Sequence, residues 1–308
     1  MKRIVKQQTQ LTLQEHFNQF LEEKQANNLS PSSIRNYSIS WNMFSDYTGI
    51  KESVEWKQET IYQYINHLKN QEVSAASINH YLRDLRTFSN WLEKRGIPGV
   101  EIKEVRAQEI LPKFFSEEDI AVLLEKPTNR DTFAEWRTYA IVSFILATGA
   151  RTGTICNAKV SDIDFQEKTI TYEHTKNKKA QSVPLSPALE TVLREYLKMF
   201  QLDDYLFPNI GNEQLTPNAL RHSFQRYCQE RGVNQHNIHG LRHSFAKGFI
   251  KSGGNALALK HLLGHSSIQM TDRYVKLYGM DLREGYQDLS PLDVMKKNKS
   301  RTSKIKKN

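Results

Sequence analysis

The chain has 308 residues, of which 38% are hydrophobic and 25% charged, so wholesale disorder is excluded. At about 100–200 residues per domain, this length predicts two domains. No stretch is long and apolar enough to span a membrane, and the first ten residues lack the apolar core of a secretory signal. With only Cys156 and Cys228, the chain offers neither a disulfide framework nor a cysteine zinc site. We therefore expect a cytoplasmic protein.

The net charge of +9 is concentrated at the C-terminus. Seven of the 43 basic residues, and none of the 34 acidic ones, lie in residues 296–308. Such a tail is either a solvated end or an arm that contacts nucleic acid, and both interpretations remain open. Basic residues and histidines also cluster between His174 and Lys260, which predicts a positive face on the second domain.

Four stripes of apolar and aromatic residues predict a helical bundle in the first hundred residues. The stripes cover residues 13–21, 34–47, 61–68 and 78–92. Their spacing is typical of amphipathic helices joined by short loops. We assign residues 8–98 to this N-terminal domain, and residues 99–114, which mix proline, glycine and charge, to a linker.

The rest of the chain predicts helices around three short strands. A nearly all-apolar helix from Tyr139 to Thr148 is the expected centre of the domain. The strands are predicted at residues 163–165, 169–172 and 182–185. Further helices are predicted over residues 187–200, 216–231, 241–251, 256–263 and 271–278. The fold class is thus mainly α: a helical bundle, then a mostly helical domain with a small antiparallel β-sheet (residues 115–290), then a basic tail (residues 291–308).

Two segments carry arginines suited to binding a phosphate. Arg151 follows the apolar helix in ATGARTG, where it is either a surface arginine in a salt bridge or a planar, permanently charged clamp. His239 and Arg242 lie three residues apart, close to one helical face, so they can donate jointly to one phosphate. The alternative is a capping histidine and a solvated arginine.

Histidine spacing also suggests a metal. His239 with His243, and His261 with His265, have the His-x3-His spacing of zinc ligands on a helix. The metal interpretation is the weaker one, because no cysteine or carboxylate joins either pair and a glycine interrupts each helical face.

Tyr274 follows His265 by nine residues and is either a core side chain or a nucleophile. A phenol ionises near pH 10, so a nucleophilic tyrosine needs cations and a base around it. Arg151, Arg242 and His265 would supply them if the fold brings these residues together.

The order of these segments resembles the tyrosine recombinase (phage integrase) family over nearly the whole chain. ATGARTG is similar to the segment with the family's first arginine, and HTKNKKAQSVPL to its lysine hairpin. HGLRHSFA resembles the His-x-x-Arg box, and LLGHSSIQMTDRYVK the box with the last histidine and the nucleophile. SPSSIRNY and SAASINHYLRDLRTFSNWL resemble parts of the core-binding domain, which binds DNA in the family.

The resemblance implies a catalytic site of six residues: Arg151, Lys176, His239, Arg242, His265 and Tyr274. The tyrosine would attack DNA phosphorus and form a 3′-phosphotyrosine, while the two arginines bind the phosphate. Lys176 would be the general acid for the leaving 5′-oxygen. His239 would help to accept the tyrosine proton, and His265 would hydrogen-bond the phosphate. No metal or other cofactor is implied, because the protein–DNA ester keeps the bond energy.

The implied substrate is double-stranded DNA with inverted-repeat core sites, bound by a homo-tetramer in the synaptic complex. The implied role is integration, excision or resolution of a mobile element or replicon. Two positions depart from the family pattern: Thr154 replaces a common glutamate, and Gln181 replaces a common arginine. We expect different support for Arg151 and the loss of one DNA-backbone contact.

Three other functions remain open on the sequence alone. One is a DNA-binding regulator of the same fold without catalysis. Another is a DNA-relaxing enzyme like the type IB topoisomerases, and the third is a histidine-rich metalloenzyme.

Overall fold

The computed structural model describes residues 11–52, 55–108, 113–128, 130–172, 180–265 and 267–278. Lys176 and the basic tail (residues 291–308) lie outside the described residues. The chain separates into two compact units, divided between residues 110 and 111. No helix among the described residues is long and apolar enough to cross a membrane.

The first unit consists of four helices, as the apolar stripes predict. They are α1 (Leu13–Ala26), α2 (Pro31–Thr48), α3 (Gln58–Asn70) and α4 (Ala75–Glu93). Three of them begin where a hydroxyl side chain accepts a hydrogen bond from the first turn: Thr12, Ser30 and Ser74. The aromatic stripes meet in one core, in which the ring of Phe88 packs against Phe17, Phe20, Trp41, Trp56 and Trp91.

The segment after α4, which we predicted to be part of a linker, packs on the first unit. Ile102 is only 3% exposed and joins the aromatic core. The Asn79 amide both donates to the Val105 carbonyl and accepts from the Val105 N–H. Ser89 pairs with the backbone of Val100 in the same way. Val100, Ile102 and Val105 thus anchor residues that we placed in a linker over residues 99–114; the other domain limits stay predictions.

The second unit contains eight described helices and one sheet. Its helices are α5 (Glu117–Leu123), α6 (Phe133–Thr148), α7 (Thr152–Asn157), α8 (Pro187–Met199), α9 (Pro217–Glu230), α10 (Ile238–Lys251), α11 (Ala256–Leu263) and α12 (Gln269–Tyr278). Its strands are β1 (Ile163–Asp164), β2 (Thr169–Tyr172) and β3 (Gln181–Pro184), paired antiparallel in the order β1-β2-β3. The mainly α fold with a small antiparallel sheet is therefore confirmed.

Helix α6 is the centre of the second unit. It is buried from Trp136 to Ile145 and packs against α8, α9 and α10, so it needs no polar face. Gly149, with a φ of 66°, ends it in the left-handed conformation. A Cβ on Gly149 would lie only 2.5 Å from the Phe245 ring and 2.6 Å from the Leu263 side chain. Glycine thus lets the end of α6 approach α10 and α11 closely.

We expect Phe88→Ala to lower the free energy of unfolding of the first unit by about 3–5 kcal/mol, because the change leaves a cavity among five aromatic rings. Chemical denaturation followed by tryptophan fluorescence measures it, since three of the four tryptophans lie in this unit. The control is Tyr62→Ala, whose side chain is 58% exposed and which should change the value by about 0.5 kcal/mol at most. Equal effects of the two variants would contradict this account of the core.

Candidate active site

Arg151 stands directly before α7, two residues after the glycine that ends α6. The side chain is half-buried, and its Nη2 donates to the carbonyl of Gly264, 3.3 Å away. Partial burial lowers the pKa of the guanidinium, whereas the nearby Tyr274 phenol raises it. The hydrogen bond to Gly264 thus holds Arg151 between the end of α6 and the end of α11.

Arg242 lies in α10 and is only 3% exposed. Its Nη1 donates to the Gly149 carbonyl at 2.6 Å, and its Nη2 donates to the Leu263 carbonyl at 2.8 Å. The same Nη2 lies 3.1 Å from Nε2 of His265. Burial first, and then the charge of Arg151, lowers the pKa of this guanidinium to about 9. With this pKa, the Arg242 side chain still carries its charge at neutral pH. The site therefore holds two charged guanidinium groups, those of Arg151 and Arg242, close together.

The C-terminal turn of α11 holds both arginines. The last carbonyls of a helix have no partner within the helix and form the negative end of its dipole. Here the carbonyls of His261 and Leu262 accept from the Gln181 amide, at 2.7 and 2.8 Å. The next two carbonyls, of Leu263 and Gly264, accept from the two arginines. Gln181, which sequence analysis treated as a lost DNA contact, thus ties β3 to the turn that positions the arginines.

His265 follows this turn, and its ring is held at both nitrogens. Arginine only donates, so Nε2 accepts from Arg242, and Nδ1 carries the proton and donates to the Thr271 hydroxyl at 2.9 Å. Thr271 is fully buried. Burial, followed by the charges of Arg242 and Arg151, lowers the pKa of His265 to about 4. His265 is therefore neutral at pH 7.

Tyr274 is 5% exposed and packs through α12 onto α10 and α11. Its hydroxyl oxygen lies 2.6 Å from Nδ1 of His243, and its phenol influences the pKa of both Arg151 and Arg242. The fold therefore brings together five of the six predicted residues: Arg151, His239, Arg242, His265 and Tyr274. His239 lies in the first turn of α10, where partial burial of its ring and then the charges of Arg242 and Arg151 lower its pKa. Lys176 lies outside the described residues.

The site has excess positive charge. Among the described residues, no carboxylate forms an ion pair with Arg151 or Arg242. Two guanidinium groups held by neutral carbonyls favour an anion with several oxygens. In the described part of the chain, no group of three or more His, Cys, Asp or Glu side chains is placed to hold a metal ion. This geometry gives the zinc interpretation no support.

Two contacts of the site were missed by sequence analysis. His243 was considered only as a zinc ligand, although it lies one helical turn after His239 and contacts Tyr274. Thr271 was named only as the start of a helix, although its hydroxyl orients His265. The position of His243 one turn along the His-x-x-Arg helix was the available signal, but only the packing of α12 on α10 shows where it points.

Comparison with known proteins agrees with this arrangement. The profile of the phage integrase family matches residues 113–279, and the profile of a phage integrase N-terminal SAM-like domain matches residues 17–99. The chain belongs to the phage integrase family. It is a site-specific recombinase of the tyrosine type, as its motifs indicated.

Individual relatives cover most of the chain. Tyrosine recombinase XerC of Staphylococcus aureus is 28% identical over 278 residues, which are 86% of this chain and 92% of that protein. A lambda integrase tetramer bound to a Holliday junction has a TM-score of 0.72 at 16% identity, over 90% of this chain and 81% of that one. The Tn1549 transposon integrase in complex with a circular intermediate DNA has the same TM-score at 14% identity, over 94% of this chain and 99% of that one. At these identities the two structures establish the shared fold.

Lowering the pH from about 7 to about 5 should lower the free energy of unfolding of the second unit. An unfolded histidine has a pKa near 6.5, whereas burial lowers the pKa of both His243 and His265 to about 4. Between these values the unfolded chain binds more protons than the folded chain, so stability falls as the pH falls. Hydrogen exchange of the α6 and α10 amides at the two pH values measures the effect. His265→Gln should make the pH dependence shallower, and an unchanged slope in that variant would contradict this.

Proposed function

We propose that the chain cuts and rejoins double-stranded DNA through a 3′-phosphotyrosine formed at Tyr274. The observation that supports this most directly is the convergence of two guanidinium groups, without a carboxylate partner among the described residues, on a buried phenol. A phosphodiester is an anion that fits two such groups. Arg151 and Arg242 would bind its non-bridging oxygens and stabilise the extra negative charge of the transition state more than that of the ground state.

The other predicted residues complete this reaction. Lys176 is proposed as the general acid for the leaving 5′-oxygen, since a lysine ammonium, unlike a guanidinium, can release its proton. His265 is proposed to hydrogen-bond the bound phosphate. The 5′-hydroxyl of a partner strand would then attack the phosphotyrosine and restore the DNA backbone. His239, in the first turn of α10, is proposed to support the transfer of the tyrosine proton through its ring contact with His243.

We propose that a homo-tetramer on paired core sites performs the exchange. The lambda integrase relative is a tetramer on a Holliday junction, and exchange between two duplexes requires four cleavage events. We further propose that the helical bundle, residues 8–98, contacts the core site, and that each site is an inverted repeat. We also propose that it acts in the cytoplasm, on a mobile element or in the resolution of a replicon; the Tn1549 relative, a transposon integrase, supports the mobile-element role.

Tyr274→Phe is expected to bind DNA with wild-type affinity but to form no covalent adduct, because it lacks only the attacking oxygen. The recognised sequence is first selected by binding from a pool of random duplexes. A nicked duplex with that sequence then traps the adduct, which is measured on a denaturing gel. The control is Tyr205→Phe, a half-buried tyrosine elsewhere in the unit. Protein-linked DNA with Tyr274→Phe would refute the nucleophile. No adduct with the wild-type protein would favour a non-catalytic regulator.

Arg151→Lys should lower the rate of adduct formation by about 10²-fold or more, because one ammonium cannot replace a guanidinium that bonds Gly264 and a phosphate together. The rate is measured in single turnover on the same nicked duplex at saturating protein. Arg221→Lys, an exposed arginine of α9, is the matched control. A wild-type rate for Arg151→Lys would count against the clamp.

A further inference from the structure

His243 contacts the hydroxyl on which the proposed reaction depends. Its Nδ1 lies 2.6 Å from Tyr274 Oη, which is a short hydrogen bond. No hydrogen bond joins His239 to Tyr274 among the described residues. We propose that His243, rather than His239, holds the Tyr274 hydroxyl and takes its proton when the oxygen attacks DNA phosphorus. This assignment rests on the function proposed above and names a catalytic residue beyond the six predicted ones.

The ring of His243 is fixed from both sides. The His239 ring meets it edge-on with centroids 4.8 Å apart, and the Phe114 ring does so at 6.1 Å. The backbone next to Phe114 is itself anchored, because the N–H of Phe115 donates to the buried Ser244 hydroxyl. These contacts hold Nδ1 toward α12 before substrate arrives.

The electrostatic surroundings keep His243 unprotonated and therefore able to accept. The groups that face it are His239 and Arg242 from α10, and Arg273 and Tyr274 from α12. Burial first, and then His239, Arg242 and Arg273, lowers the pKa of His243 to about 4. In the accepting form the ring proton lies on Nε2. A phosphodiester between the arginines adds negative charge, which offsets the cations and raises the pKa of His243. The base thus becomes stronger when the substrate is bound.

Each proton in this scheme has a defined donor and acceptor. As Tyr274 Oη bonds to phosphorus, its proton passes to His243 Nδ1, the phosphorus–O5′ bond breaks, and the leaving oxygen takes a proton from Lys176. During rejoining, the attacking 5′-hydroxyl returns a proton to Lys176. The phenolate then leaves phosphorus and recovers its proton from His243.

The test compares His243→Asn with the wild-type protein on the nicked duplex. Asparagine places an acceptor oxygen near the position of Nδ1 but cannot take a proton. We expect DNA affinity to be retained and the single-turnover rate of adduct formation to fall by about 10²–10⁴-fold, the usual contribution of a general base. His222→Asn, an exposed histidine of α9, is the matched control. A rate for His243→Asn within about threefold of the wild-type rate would overturn the assignment.

Two further measurements separate proton transfer from simple positioning. Without a base, the tyrosine must ionise alone, so the rate of His243→Asn should rise about tenfold per pH unit toward the tyrosine pKa, while the wild-type rate rises less. This steep profile in His239→Asn but not in His243→Asn would refute the proposal. A duplex with sulfur in place of the 5′-bridging oxygen needs no leaving-group acid, and it should not rescue His243→Asn. Rescue would place His243 on the leaving-group side and overturn the assignment.

The outcomes distinguish a failure of the proposed function from a failure of the role of His243 alone. Absence of adduct with both the wild-type protein and His222→Asn overturns the proposed function, and with it the role of His243. Adduct formation by both, together with a wild-type rate for His243→Asn, overturns the role of His243 alone. If His243→Asn loses DNA binding, the ring-nitrogen NMR shifts of His243 in the wild-type protein decide instead. A proton on Nδ1 in both the free and DNA-bound states would then overturn the assignment.

Discussion

The C-terminal turn of α11 is the feature on which the site depends. Its last two carbonyl oxygens, of Leu263 and Gly264, each accept a hydrogen bond from a different arginine. Carbonyl dipoles at a helix C-terminus attract a cation without neutralising it. Arg242 can therefore be almost fully buried and still keep its charge for a ligand. A carboxylate in the same place would hold the arginines more strongly, but it would compete with a phosphate.

The protonation state of the histidines follows from this excess of positive charge. Both His243 and His265 face buried cations, and both are neutral at pH 7 because protonation would add another charge to the cluster. A neutral imidazole can accept a hydrogen bond. His265 accepts one from Arg242, and His243 lies against the Tyr274 hydroxyl. An anion reverses this balance, so substrate binding and histidine basicity are coupled through the same field. Such coupling would limit the proposed proton transfer from the tyrosine to the time when a phosphate is present.

The sequence predicted most of the elements, because their signals are local. The apolar run of α6, the hydroxyl caps and the alternating strands each lie within a few residues. The helix boundaries differ from the predicted ones where a single capping side chain sets them. Helix α10, for example, begins at Ile238 rather than at the predicted Leu241, since the Asn237 side chain caps it. Residues 100–105 were assigned to a linker because their three apolar side chains have no clear period, although these side chains pack on the first unit.

The active site could be predicted only in part, because its contacts join residues that lie far apart in the chain. Arg151, Arg242, His265 and Tyr274 were found through family motifs, and their convergence could not have been derived from spacing. The contacts of His243 and Gln181 join residues far apart in the chain, 31 positions from His243 to Tyr274 and 80 from Gln181 to His261. Local patterns carry no information about such pairs. Only the packing of α10, α11, α12 and β3 determines them.

Gln181 links the β-sheet to the turn that holds the arginines. It is the first residue of β3 and follows the proposed acid, Lys176, by five positions. Its amide bonds the same turn that holds both arginines. The first residue of β3 and both arginines therefore share one anchor, the C-terminal turn of α11.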